Sequence, residues 1–141
     1  MRLGTAASRW LRRLFAESPL GKRGERRAAR YLRRRGYRIL ARGDRLFPGE
    51  LDLVALDRDT VVFVEVKTRR SAEAGHPVEA VTPAKQRRLT RLAVTFLKRH
   101  GLLERPARFD VIAITWPERG RPTIEHFENA FDAVGRGEFY S

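Results

Sequence analysis

Four charged residues bracket a pair of apolar runs: Glu50 and Asp52 open the first, and Glu65 and Lys67 close the second. The runs Glu50 to Leu56 and Val61 to Lys67 are joined by Asp57-Arg58-Asp59-Thr60, a polar cluster of the kind that reverses a chain between two strands. With Arg58-Asp59 as a two-residue turn, Asp57 faces Thr60, Asp52 faces Glu65 and Glu50 faces Lys67. Strand side chains repeat with period two, so all four should project from one face of the hairpin. Opposed Cβ atoms there are only about 4.5–5.5 Å apart, and like charges so placed repel. A hard divalent cation such as Mg²⁺ would turn the Asp52/Glu65 repulsion into binding, because such ions select carboxylates and water. Lys67 would add a positive charge beside it. The other reading is a solvent-facing strand end in which Glu50 and Lys67 form a simple surface ion pair.

Composition restricts the chemistry. A chain of 141 residues fits one domain with a full hydrophobic core. The absence of cysteine excludes a disulfide framework, a thiolate zinc site and a thiol nucleophile. His76, His100 and His126 have no metal-ligand spacing, so any metal must be held mainly by oxygen. No apolar run approaches the roughly 20 residues that span a bilayer, and no secretory segment is evident. The expectation is a cytoplasmic protein with no membrane partner.

The net charge of +13 is unevenly spread. Residues 1–48 carry 15 basic and 3 acidic side chains, residues 49–70 carry 4 and 5, and residues 71–141 carry 11 and 9. A basic excess concentrated before an acidic hairpin attracts a polyanion, through phosphate contacts and counterion release. The alternative is a generally basic protein with a basic tail. Only Lys22, Lys67, Lys85 and Lys98 are lysines among the 30 basic residues. A lysine at position 67 therefore suggests a place for a compact ammonium with a tunable pKa, which arginine does not supply.

These residues need elements to hold them. Residues 1–18 are expected to form a basic, flexible arm, and residues 19–141 one domain. Leu20 to Arg35 predicts a helix stopped by Gly36. Glu25, Ala28, Ala29 and Leu32 follow helical spacing, which points Glu25 inward, although a first-turn glutamate also simply favours the helix dipole. Tyr37 to Ala41 reads as a strand, Gly43 to Gly49 as a loop, and the hairpin follows with strands apolar on both faces, as in a covered central sheet. Ser71 to Val81 is a polar loop. Thr82-Pro83 opens a helix to about Arg99, with Thr82 as N-cap and Leu89, Leu92, Ala93, Phe96 and Leu97 as its buried stripe. Gln86 shares that stripe near its start. Phe109 to Thr115 and Thr123 to Phe127 complete the strands.

The α-β-β-β-α-β order, an acidic residue in the second strand and Glu-x-Lys in the third resemble the PD-(D/E)xK nuclease superfamily, which includes restriction endonucleases and archaeal Holliday-junction resolvases. More narrowly, Gly21-Lys22-Arg23-Gly24-Glu25, Gly49-Glu50-Leu51-Asp52-Leu53-Val54, Val64-Glu65-Val66-Lys67-Thr68-Arg69, Val81-Thr82-Pro83-Ala84-Lys85-Gln86 and Arg108-Phe109-Asp110-Val111 are similar to the bacterial YraN family of predicted endonuclease-like proteins. Pro48 stands four residues before Asp52 instead of immediately before it, and Gly43 to Phe47 lacks the Asn-Trp-Arg associated with that family.

The resemblance implies an α/β, restriction-endonuclease-like fold with a mixed central sheet flanked by helices. It makes Asp52 and Glu65 metal carboxylates, Glu25 a further ligand, and Lys67 the catalytic lysine. Gln86 becomes a support that binds phosphate or a metal-bound water, and Glu50 a member of the cluster without an assigned role. The activity implied is Mg²⁺- or Mn²⁺-dependent hydrolysis of phosphodiester bonds in DNA, including branched or recombination intermediates. DNA is favoured over RNA, and Lys22, Arg23, Arg26, Arg69, Arg70 and Lys85 are the candidate nucleic-acid contacts. The alternative is a non-catalytic nucleic-acid-binding adaptor of the same fold in DNA repair or uptake. Resolvase-like relatives are often two-fold dimers, so the resemblance also admits a homodimer.

Overall fold

The structure, a computed structural model, describes residues 19–46, 49–71, 73 and 75–135. The basic arm expected over residues 1–18 lies outside them. Helix α1 (Pro19–Arg34) ends with Arg33 and Arg34 in its last turn, where cations complement the helix dipole. The Gly36 N–H then donates to the Arg33 carbonyl and the Tyr37 N–H to that of Leu32, both at 3.0 Å, which satisfies two terminal carbonyls and turns the chain into β1. Strands β1 (Arg38–Leu46), β2 (Gly49–Asp57) and β3 (Thr60–Arg69) follow, then a 3₁₀ turn (Pro77–Ala80), helix α2 (Pro83–Arg99), β4 (Ala107–Thr115) and β5 (Thr123–Phe131).

The five strands lie in the order β1-β2-β3-β4-β5. Only β3 and β4 are parallel, and α2 is the crossover between them. One face of the sheet packs on α2 through Leu51, Val54, Val61, Phe63, Phe109 and Val111 against Leu89, Leu92, Ala93, Phe96 and Leu97. The other packs on α1 through Leu53, Ala55, Val62, Val64, Ile112 and Ile114 against Ala28, Ala29 and Leu32. Both faces are covered, as the unbroken apolar runs of β3 and β4 require. The expected stripe of α2 is buried in full. Its start is also as expected: Thr82 Oγ1 accepts the Lys85 N–H at 3.2 Å, ahead of Pro83 at the first position.

The hairpin has the expected register from Asp57↔Thr60 to Leu53↔Val64, with Arg58 at φ 57 in the turn. Two strands are longer than their sequences suggest. β1 continues past Ala41 to Leu46, so much of the expected Gly43–Gly49 loop pairs with β2 as far as Leu46↔Gly49. Its polar Arg42-Gly43-Asp44-Arg45 has no apolar alternation, and backbone pairing to β2 carries it. β5 runs past Phe127 to Phe131 because a bulge between Phe109 and Val111 absorbs a break in alternation at Asn129, which has φ 49.

Asp110 holds that bulge. Its carboxylate is wholly buried and accepts the Asn129 N–H at 2.9 Å, Arg108 Nε at 3.0 Å and His126 Nε2 at 2.8 Å. Arg108 also donates to Asp57 at 3.1 Å and to the Tyr37 hydroxyl at 2.9 Å. Burial would raise the Asp110 pKa, but the His126, Arg108 and Asn129 hydrogen bonds outweigh it and hold the carboxyl below its usual range. This network ties the hairpin turn, β4 and β5 together and leaves the far ends of β2 and β3 to the charged residues.

Candidate functional site

Those far ends separate, and the separation builds the site. Pairing of β2 with β3 stops at Leu53↔Val64, one step short of the Asp52/Glu65 pair that the alternation predicts. Along β2, Leu51 packs on the α2 side and Leu53 on the α1 side, although strict alternation would put them on one face. The strand rotates between them. Asp52 thereby turns toward β3, and its Oδ2 accepts the Val66 backbone N–H at 2.9 Å. The carboxylate takes a donor that a longer β2–β3 ladder would have used.

The same rotation brings Glu50 to the α1 side. One carboxylate oxygen from each of Glu25, Glu50 and Asp52 lies within 4.8 Å of the other two. Glu25 points inward from α1, as its helical spacing predicts, and its Oε1 is buried. Gly43 of β1 backs the group at φ 57: a Cβ there would stand 3.2 Å from Glu50 Oε1 and 3.8 Å from Glu25 Oε2. Glu50, which had no role in the sequence reading, is therefore a full member of the cluster, and it does not face Lys67.

Glu65 lies elsewhere. Its carboxylate, 9% exposed, forms an ion pair with Lys85 from the first turn of α2, and Lys67 Nζ stands 3.8 Å away. Lys67 and Lys85 thus converge on the same Glu65 oxygen. Burial, with Lys85 beside it, lowers the Lys67 pKa below the usual lysine range, while Glu65 and Asp52 only partly oppose this. Burial also acts downward on Lys85, but its contact with Glu65 outweighs that and raises it. Two ammonium groups on one carboxylate thus divide into a firmly charged Lys85 and a Lys67 that gives up its proton more readily. Asp52 acts electrostatically on both lysines, so the carboxylate trio and the Glu65–lysine group are neighbours across the splayed strand ends.

The remaining expected residues are spread more widely. Gln86 donates from Nε2 to the Val81 carbonyl at 2.9 Å, which closes the turn before α2. Arg69 is also engaged within the protein: its guanidinium meets the Gly75 carbonyl at 2.7 Å, Thr115 Oγ1 at 3.2 Å and Glu125 at 3.6 Å. Lys85 is committed to Glu65. Lys22, Arg23, Arg26 and Arg70 are exposed. The Glu65–Lys85 pair was missed in sequence, although the helix opening that drew attention to Gln86 places Lys85 just before it at the same strand ends.

A mixed sheet crossed by one helix between parallel strands, covered by a second helix and carrying acidic and lysine side chains at the strand ends, makes this an α/β protein with a restriction-endonuclease-like core. Residues 24–114 match the uncharacterised protein family UPF0102, and the chain belongs to that family, which is the YraN family. It is 55% identical over 113 residues to the UPF0102 protein of Geobacter sulfurreducens, covering 80% of this chain and 88% of that one. To that of Rhodopirellula baltica it is 48% identical over 125 residues, 86% of this chain and 75% of that one. To that of Symbiobacterium thermophilum it is 50% identical over 114 residues, 81% and 97% respectively. Among the described residues no helix is long and apolar enough to cross a membrane.

Proposed function

We propose that the protein is a divalent-metal-dependent nuclease that hydrolyses phosphodiester bonds in DNA, including branched or recombination intermediates. The observation that carries this reading is the approach of the Glu25, Glu50 and Asp52 carboxylates within 4.8 Å of one another, with Asp52 acting electrostatically on Lys67. Three carboxylates with no nitrogen or sulfur donor form the donor set of a hard cation, Mg²⁺ or Mn²⁺. Bound there, the ion would supply charge stabilisation for the phosphoryl group under attack. Lys67, with its lowered pKa, accepts a proton from the attacking water or meets the charge that builds on the phosphate. Glu65 and Lys85 hold the Lys67 amine in place, and Asp52 is fixed by the Val66 N–H.

The second reading is a non-catalytic nucleic-acid-binding adaptor of the same fold. It is favoured by the Glu65–Lys85 ion pair, which occupies a carboxylate expected to serve a metal. Purified protein offered linear, flapped and four-way DNA with Mn²⁺ or Mg²⁺ separates the two. Cutting that stops with a chelator and with Lys67→Ala supports the nuclease. Tight binding of the same DNAs with no cutting leaves the adaptor.

A further inference from the structure

On the outer side of α1, Arg23, Arg26, Arg27 and Arg30 line a groove of about 360 Å³ with Trp116 and Pro122. The four arginines follow the i, i+3, i+4, i+7 spacing that places side chains along one helix face. Among the described residues no carboxylate lines the groove, and none forms an ion pair with these four guanidinium groups. Arg23 lies over the Trp116 ring, 4.6 Å from its centroid. Trp116 directly follows β4, and its backbone N–H donates to the Arg69 carbonyl at the end of β3. The groove therefore opens at the pole of the sheet that carries the carboxylates. Glu25 and the arginines occupy the same turns of α1, one directed into the cluster and the others along the groove.

We infer that this groove binds a single-stranded nucleic-acid segment, with Arg26, Arg27 and Arg30 on its phosphates and the Arg23–Trp116 pair as a stacking surface for an unpaired base. Arginines along one helix face, with no acidic partner among the described residues, suit a phosphate backbone, and arginine binds phosphate in bidentate geometry. A guanidinium plane on an indole offers a flat face that only an unstacked base can reach, which favours single strands over duplex. This deepens the nuclease reading by supplying the arm of a branched or flapped substrate, yet binding here requires neither metal nor turnover.

The test is direct binding with chelator present. Trp10 and Trp116 are the two tryptophans, so Trp10→Phe leaves Trp116 as the sole reporter. In that background, oligothymidylate should quench Trp116 emission, and a duplex of equal length should bind more weakly without the quench. Arg26→Ala/Arg27→Ala/Arg30→Ala should weaken oligothymidylate binding at least about ten-fold and lower the slope of log affinity against log salt by about 2, as the loss of three phosphate contacts requires. Lys98→Ala/Arg99→Ala/Arg105→Ala, which removes equal charge elsewhere, should do neither. Equal losses in both triple variants, unchanged Trp116 emission at saturation, or equal affinity for duplex would overturn the inference. If groove-dependent binding stands while the wild type cuts no DNA with metal, the nuclease reading alone falls.

Discussion

Asp52 accepts the backbone N–H of Val66 at 2.9 Å, and through that bond a side chain of the proposed metal site also terminates a sheet ladder. The two roles separate by substitution. Asp52→Asn keeps an oxygen for Val66 and removes one charge from three crowded carboxylates, so metal-free stability should change by less than about 1 kcal/mol. Asp52→Ala leaves the Val66 N–H without its acceptor and should cost about 1–2 kcal/mol. Both variants should weaken Mn²⁺ binding at least about ten-fold, and both should lack the Tm rise expected of the wild type in Mn²⁺ by mass action. Urea denaturation and calorimetry measure the two effects independently. Unaltered Mn²⁺ affinity in Asp52→Asn would remove Asp52 from the site.

Lys67 carries the chemical prediction. Lys67→Ala should leave Mn²⁺ binding within about two-fold and reduce single-turnover DNA cleavage by about 10²–10⁴, the range for loss of a positioned acid or base. Lys67→Arg should not restore the rate, because guanidinium remains protonated and is too broad for a place already shared with Lys85. Restoration by arginine would instead show that only charge is needed at this position.

The hairpin register was legible because a two-residue turn and a period-two repeat leave little choice, and the pairs from Asp57↔Thr60 to Leu53↔Val64 follow from them. The site was legible as a set of residues and less so as an arrangement. The rotation of β2 between Leu51 and Leu53 leaves no local mark: both are leucines, and which helix each meets depends on the packing of the whole sheet. That rotation moved Glu50 from a partner of Lys67 to a partner of Glu25, and left Glu65 to Lys85. The length of β5 was hidden for a similar reason. Its second half is paired through a bulge held by Asp110, a residue distant in sequence.

Asp110 makes a pH-dependent prediction. Its folded-state pKa is depressed, so its ionised form is favoured by folding; that stabilisation is complete above the unfolded value of about 3.9 and is lost as pH falls through the lower folded value. Asp110→Asn should therefore cost about 3 kcal/mol at pH 7, since it removes one partner of a buried charge pair. The gap to wild type should narrow as the solution is acidified below pH 4. Urea midpoints measured across that range check it. A gap that is constant with pH would mean that shape and not charge holds the bulge.

Gly24 tests how closely α1 must approach the sheet for Glu25 to reach the cluster. A Cβ at position 24 would fall on Thr68 Cγ2, with Val66 Cγ1 at 3.6 Å behind it. The helix would gain up to about 1 kcal/mol of intrinsic propensity from Gly24→Ala, but overpacking against β3 costs about 1–3 kcal/mol. The net expectation is lower stability and a helix pushed outward, carrying Glu25 away from Glu50 and Asp52. Mn²⁺ affinity should then fall although no ligand has been changed. Thr68→Ser removes the obstructing methyl group, so the pair Gly24→Ala/Thr68→Ser should recover both stability and Mn²⁺ affinity toward wild type. The coupling in that double-mutant cycle should be about 1 kcal/mol or more. Additive effects in the cycle would show that the helix accommodates the methyl without moving, and that Glu25 is positioned by something other than this contact.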